Sequence, residues 1–150
     1  YIGWHIVETQ SSLPGALNEL SLYATEGYWH GKGSALRRYT LRLDGFVSVN
    51  AGAEGGELIT KPIKFSGTQL SLNLATSASG SVRVEIFDVG GKSVPGFSLK
   101  DCPEIFGDTH NRTVNWEPGA DLEKLAGKPV RLRFVLKDAD LYSFKFTKPD

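Results

Sequence analysis

One short stretch of this chain gathers several residues of the types that do chemistry. Asp101, Cys102, Glu104, Asp108 and His110 fall within one short stretch. Cys102 and His110 are the right pair for a thiol nucleophile and its base. A lone cysteine more often packs as a small hydrophobe, and that reading is preferred. Asp101, Glu104 and Asp108 would serve a glycosidase only if two carboxyls faced each other roughly 5–10 Å apart across a cleft. Loop carboxylates more often cap turns, meet solvent or hold a hard cation. Asp101 and Asp108 are the first choices for a structural calcium ion, although the run lacks the ligand spacing of an EF-hand. There is no Walker-type phosphate loop and no Gly-x-Ser-x-Gly elbow. His5, His30 and His110 are not spaced as metal ligands on a helix. The isolated chain is therefore expected not to be an enzyme.

Binding chemistry has more to offer. Tyr28-Trp29-His30 lies between Gly27 and Gly31, in a segment with no strand alternation. Sugars are recognised by flat aromatic faces over their C–H patches, with polar groups for the hydroxyls. Trp29 and Tyr28 are expected to form such a platform in a surface loop, with His30 as a polar neighbour. Trp4 and Trp116 are the next ligand-binding candidates, although both sit in strand-like runs and suit a core better. Asn111-Arg112-Thr113 fits a glycosylation sequon, which matters only in a eukaryotic secretory setting. Arg37-Arg38 and Lys128-Arg131-Arg133 are scattered cations, not a stripe.

The elements that must position these residues are strands. In Leu70-Ser71-Leu72-Asn73-Leu74 every second residue is leucine. Val82-Arg83-Val84-Glu85-Ile86, Val130 to Leu136, Tyr142 to Phe146 and Tyr39 to Leu43 alternate in the same way. Period-two alternation predicts strands with one face in a core and one in water. Weaker strand candidates are 2–7, 19–25, 46–50, 57–65 and 112–117. Turn signals separate the runs at Asp44-Gly45, Gly55-Gly56, Ser79-Gly80 and Gly127-Lys128-Pro129. Gly90-Gly91 reads as a tight hairpin. The one helical candidate, Asp121 to Gly127, spans barely more than a turn, with Asp121 as its cap. The expected architecture is all-β, an antiparallel two-sheet β-sandwich of jelly-roll-like type with eight to eleven strands. Residues 95–111 form the longest stretch without alternation, a length usually functional or packed on itself.

Composition agrees. The chain has 150 residues, 40% hydrophobic and 23% charged, which is globular and not disordered. Seventeen Lys and Arg balance seventeen Asp and Glu, so neither nucleic acid nor an anionic membrane is expected as a partner. One cysteine excludes an internal disulfide. There is no methionine, and the chain opens on Tyr1-Ile2-Gly3-Trp4. It reads as a piece cut from a longer protein, in preference to one that has lost a leader. Residues 1–150 are taken as one sandwich domain.

Several runs carry a resemblance. Leu41-Arg42-Leu43-Asp44-Gly45-Phe46-Val47-Ser48-Val49, Gly56 to Pro62, Gly80 to Ile86, Pro95 to Cys102 with Gly107-Asp108, and Leu125 to Phe134 followed by Asp140 to Phe144 occur in order. Together they resemble the C-terminal β-sandwich that follows a β-propeller in bacterial secreted proteins of the glycoside hydrolase family 32-like and sialidase-like kind. The resemblance covers about residues 36–146. It implies that residues 1–35 derive from the end of the propeller, with Asn18 to Ala24 as a strand of the last blade. It also implies a secreted, extracellular or periplasmic location. The catalytic carboxylates of such proteins belong to the propeller and have no counterpart here. The expected function is thus a non-catalytic carbohydrate-binding module, taking a polysaccharide or oligosaccharide, within a larger glycan-active protein. The alternative is a structural accessory sandwich that packs on the catalytic propeller and has no ligand of its own. An exposed coplanar aromatic cluster around Trp29 would favour the first, and an exposed apolar patch facing a missing neighbour the second.

Overall fold

The computed structural model describes residues 2, 3, 5–31 and 33–148. Strands hold 51% of the residues and short helical turns only 5%, so the chain is all-β, as the alternation predicts. Its two sheets, of three and five strands, are antiparallel throughout. Contacts divide the chain into two compact units between Val47 and Ser48. The sequence reading took one domain, with residues 1–35 set apart by origin.

The first unit holds β1 (Val7–Thr9), β2 (Glu19–Glu26) and β3 (Ala35–Arg42), in the order β1-β2-β3. The register pairs Leu20 with Leu41 and Leu22 with Tyr39 on one face, and Ser21 with Thr40 and Tyr23 with Arg38 on the other. Ser21 is the one buried residue among the described residues of this unit. Its surroundings are polar. Arg38 donates to Ser21 Oγ (2.7 Å), Thr9 Oγ1 (2.7 Å), the Gln10 carbonyl (3.1 Å) and Glu19 (2.6 Å). Tyr39 was expected to face a core, but it is 44% exposed and donates to Glu26.

The second unit holds the core. Its strands are β4 (Val49–Ala51), β5 (Gly56–Ile59), β6 (Gln69–Asp88), β7 (Asp108–Thr113) and β8 (Val130–Thr147). β6 and β8 are long and pair with each other along their lengths. The register breaks between Thr76 and Ser81, where the ribbon bends. The sequence reading placed a turn between two strands at Ser79-Gly80, but the strand continues. The glycine is needed for contact. A Cβ on Gly80 would lie 2.3 Å from the Asp138 carbonyl oxygen, and Asp138 itself has φ +44°. Beyond the bend the two halves of the ribbon fold toward each other. Phe134 from one half meets Phe144 from the other at 5.2 Å between ring centroids. Leu70, Leu72, Leu74, Val82, Val84, Ile86, Leu132 and Phe134 are fully buried between them. The sandwich core of this unit is thus closed by a folded-over sheet. Burying each such side chain contributes about 1.5–3 kcal/mol.

After the bend β6 has lost β7 as a neighbour, and residues 93–116 take over that edge. Val82 exchanges backbone bonds with Ile105 (2.8 and 3.0 Å). Val84 N–H donates to Cys102 Sγ (3.3 Å), and the Val84 carbonyl accepts from Trp116 Nε1 (2.9 Å). Ile86 N–H donates to the Phe97 carbonyl (3.0 Å), and the Ile86 carbonyl accepts from Val94 N–H (2.8 Å). The long irregular segment is therefore packed, and it satisfies a strand edge one residue in two. A tight turn joins Asp88 to Lys92, as Gly90-Gly91 predicts. The helical candidate is one 3-10 turn, Leu122–Leu125, with Asp121 accepting from Glu123 N–H at 3.0 Å.

Candidate functional site

The β2–β3 connection carries the most exposed aromatic pair. Strand β2 ends at Glu26, and the chain turns at Gly27, with His30 N–H donating to the Gly27 carbonyl at 3.1 Å. Gly27 and Gly31 have φ of +68° and +81°, a region that side chains other than glycine rarely enter. These glycines let the three residues between them project. Trp29 is 78% and Tyr28 54% exposed, and His30 is exposed beside them. The two rings lie 5.0 Å apart at 89°, edge to face. They form a corner, not one plane. A sugar ring would stack on one of them and meet the other edge-on. Trp4 lies outside the described residues.

Trp116 is corrected from ligand-binding candidate to core residue. It is 5% exposed, packs edge-on to Phe97 at 5.1 Å, and gives its indole N–H to Val84. A sugar cannot reach it without opening the sandwich. Cys102 is likewise 1% exposed, and its sulfur is engaged by Val84 N–H and lies 3.5 Å from the Pro103 carbonyl. Burial raises the thiol pKa, with the Val84 N–H opposing. A nucleophile needs the reverse.

The two calcium candidates have different surroundings. Asp101 Oδ2 accepts from Ser98 N–H (3.1 Å) and Ser98 Oγ (2.5 Å), closing the short turn Leu99–Asp101. The hydroxyl bond is the main reason the Asp101 pKa falls below the usual carboxylate value. Asp108 is exposed at the start of β7, paired in register with Ala75. Among the described residues no group of three His, Cys, Asp or Glu side chains could hold a metal ion. Glu104 reaches Arg83 at 3.4 Å, an exposed pair of small consequence.

One feature of the surface had no signal in the sequence. A groove of about 450 Å³ runs along β7, lined by Pro103, Glu104, Ile105, Arg112, Thr113 and Asn115 among others. A second hollow of about 520 Å³ shares Thr113 and Asn115 with it and continues to Gln69 and Glu117. The first groove's residues come from two separate segments, 103–105 and 111–115, and only the fold brings them together. The Asn111-Arg112-Thr113 triplet reads in sequence as a sequon and carries no sign of a groove.

Comparison of the chain with family models, with curated proteins and with solved structures finds no match in any of the three.

Proposed function

We propose that this chain is a non-catalytic accessory β-domain of a larger glycan-active protein, in which residues 2–47 pack against a neighbouring module. One observation carries the proposal. Twelve of the sixteen exposed large hydrophobic side chains among the described residues lie in residues 2–47. Val47 at 76%, Leu36 at 74% and Leu13 at 69% exposure are the extreme cases outside the aromatic loop, with Phe46 also exposed at 65%. Among its described residues this three-stranded sheet buries a single serine and no apolar side chain, and such a sheet needs a hydrophobic face covered to persist. The glycan-active setting, and a propeller as the neighbour, come from the sequence resemblance. The same resemblance supports secretion from a bacterial cell.

Hydrogen exchange tests the packing. On the chain as it stands, amides of β2 and β3 should exchange orders of magnitude faster than those of β6 and β8. Equal protection in both units would show that the first is complete by itself, and the proposal would fail.

Exposure of Trp29 and Tyr28 favours a second reading, carbohydrate binding at the β2–β3 loop. Changing Trp29 to Ala should then abolish retention on a polysaccharide gel while the thermal melt stays put, since the indole is largely in solvent. Retention that survives this change would remove Trp29 from the site.

A further inference from the structure

The groove beside β7 has a chemistry distinct from that of the aromatic loop. Three of its side chains, Asn111, Arg112 and Asn115, are exposed and make no side-chain hydrogen bond or ion pair among the described residues. All three are planar. The two amides each offer an acceptor oxygen and a two-donor nitrogen, and the guanidinium offers five donors in a fork. Glu104 stands on the opposite wall with Pro103 and Ile105. Glu104 already has Arg83 beside it at 3.4 Å, so Arg112 is the cation left with open valence in the groove.

A hydroxyl group donates and accepts at once. Neighbouring hydroxyls on a sugar ring match the paired donor and acceptor of an amide, or the fork of a guanidinium. Ring C–H patches find the exposed ring of Pro103, while Ile105 beneath it is buried. The volume suits a ligand-sized cleft, in the range of roughly 300–1,000 Å³. Its continuation past Thr113 and Asn115 into the second hollow gives it the form of a trench, suited to a chain and not to a single ring. A peptide adding to the edge of β7 fits less well. The β6–β7 register breaks between Leu72 and Leu74, so that edge does not present a regular ladder.

We propose that the trench along β7 is an oligosaccharide-binding site, with Asn111, Arg112 and Asn115 as the hydroxyl-recognising side chains. Arg112 gives it a preference for sugars that carry a carboxylate. The proposal does not rest on the packing of residues 2–47 or on Trp29.

The test uses the full 150-residue chain in native gels containing polygalacturonate or a neutral galactomannan. Migration should be retarded, most strongly by polygalacturonate. Arg112→Ala and Asn115→Ala should each weaken retardation roughly tenfold, the effect of losing a strong hydrogen bond. Trp29→Ala should leave it unchanged. All three positions are exposed, so unaltered melting curves should confirm folding. Amide side-chain resonances of Asn111 and Asn115 that shift on titration with oligogalacturonate give a second readout that needs no variant. Absence of retardation and of shifts overturns the proposal. So does retardation that ignores Arg112 and Asn115, or that disappears with Trp29. Failure here leaves the hydrogen-exchange contrast between the two units untouched.

Discussion

Replacing Trp116 by Phe probes the edge of β6 directly. The indole N–H donates to the Val84 carbonyl at 2.9 Å, and Val84 is fully buried. The Val84 N–H on the same edge goes to Cys102 Sγ, so side chains and not a β-strand neighbour serve this residue, and none stands ready to replace the indole. Phenylalanine keeps the edge-on contact with Phe97 but removes the donor. Leaving a buried carbonyl unpaired costs about 1–3 kcal/mol. The smaller ring leaves a void that costs about 1 kcal/mol more. The expected loss is about 2–4 kcal/mol, a fall of roughly 10 °C or more in the melting temperature for a unit of about 100 residues. Urea titration followed by circular dichroism and calorimetry would measure it. Trp29→Phe is the control, and an exposed change of this kind should stay within about 0.5 kcal/mol. Cys102→Ala should be non-additive with Trp116→Phe, because both act on the two sides of one residue. A Trp116→Phe loss no larger than that of Trp29→Phe would refute the argument that a side chain completes this strand edge.

Three further outcomes follow from the same region. The Asp101 carboxyl has its pKa lowered, chiefly by the Ser98 hydroxyl, so it stabilises the fold above the usual aspartate value of about 3.9 and ceases to do so as pH falls through the folded value. Ser98→Ala should therefore reduce stability at neutral pH and flatten its acid dependence, read from melts between about pH 2 and 6. Because Asp101 Oδ2 is engaged by Ser98, millimolar calcium should leave the melting temperature unchanged, and a rise reversed by chelator would support Asp101 and Asp108 as ligands. The Cys102 thiol should react with a disulfide reagent only on unfolding, and rapid reaction in native buffer would contradict its burial.

Alternation made the core legible where both ribbon halves bury one face. Leu70, Leu72, Leu74, Val82, Val84, Ile86, Val130, Leu132 and Phe134 are all buried, with Phe144 and Phe146 packed at the margin. The same rule overreached at Tyr39, where the pattern is present but the described chain offers no core to face. It mistook Gly80 for a turn residue, since a glycine demanded by a passing backbone and one demanded by a turn look alike in sequence. Residues 93–116 were opaque for a different reason. Val82, Val84 and Ile86 find their partners at 105, at 102 and 116, and at 94 and 97, an order with no period to detect. Val114 and Trp116 did alternate, and both are buried. An exposed aromatic loop was legible at Trp29 because two glycines mark its ends. The trench was not, because its walls are far apart in sequence and its useful side chains are ordinary polar residues.

The contrast between the units bears on what each can do alone. In Ser48 to Lys148 the folded-over ribbon buries its own leucines, so exposed polar side chains on its rim are free to serve a ligand. Among the described residues of 2–47 the buried place is taken by Ser21, held by Arg38 and Thr9, with Arg38 held in turn by Glu19. Hydrogen bonds of this kind contribute about 1 kcal/mol each, or about 1.5–3 where a charge takes part. Ordering a strand costs about 1–2 kcal/mol for every residue fixed. A polar cluster can set the register of three strands, because only one alignment brings Arg38 onto Ser21, Thr9 and Glu19 together. It cannot by itself offset the ordering of those strands. The remaining stabilisation has to come from covering apolar surface, and the exposed Leu36, Phe46 and Val47 are where that surface lies.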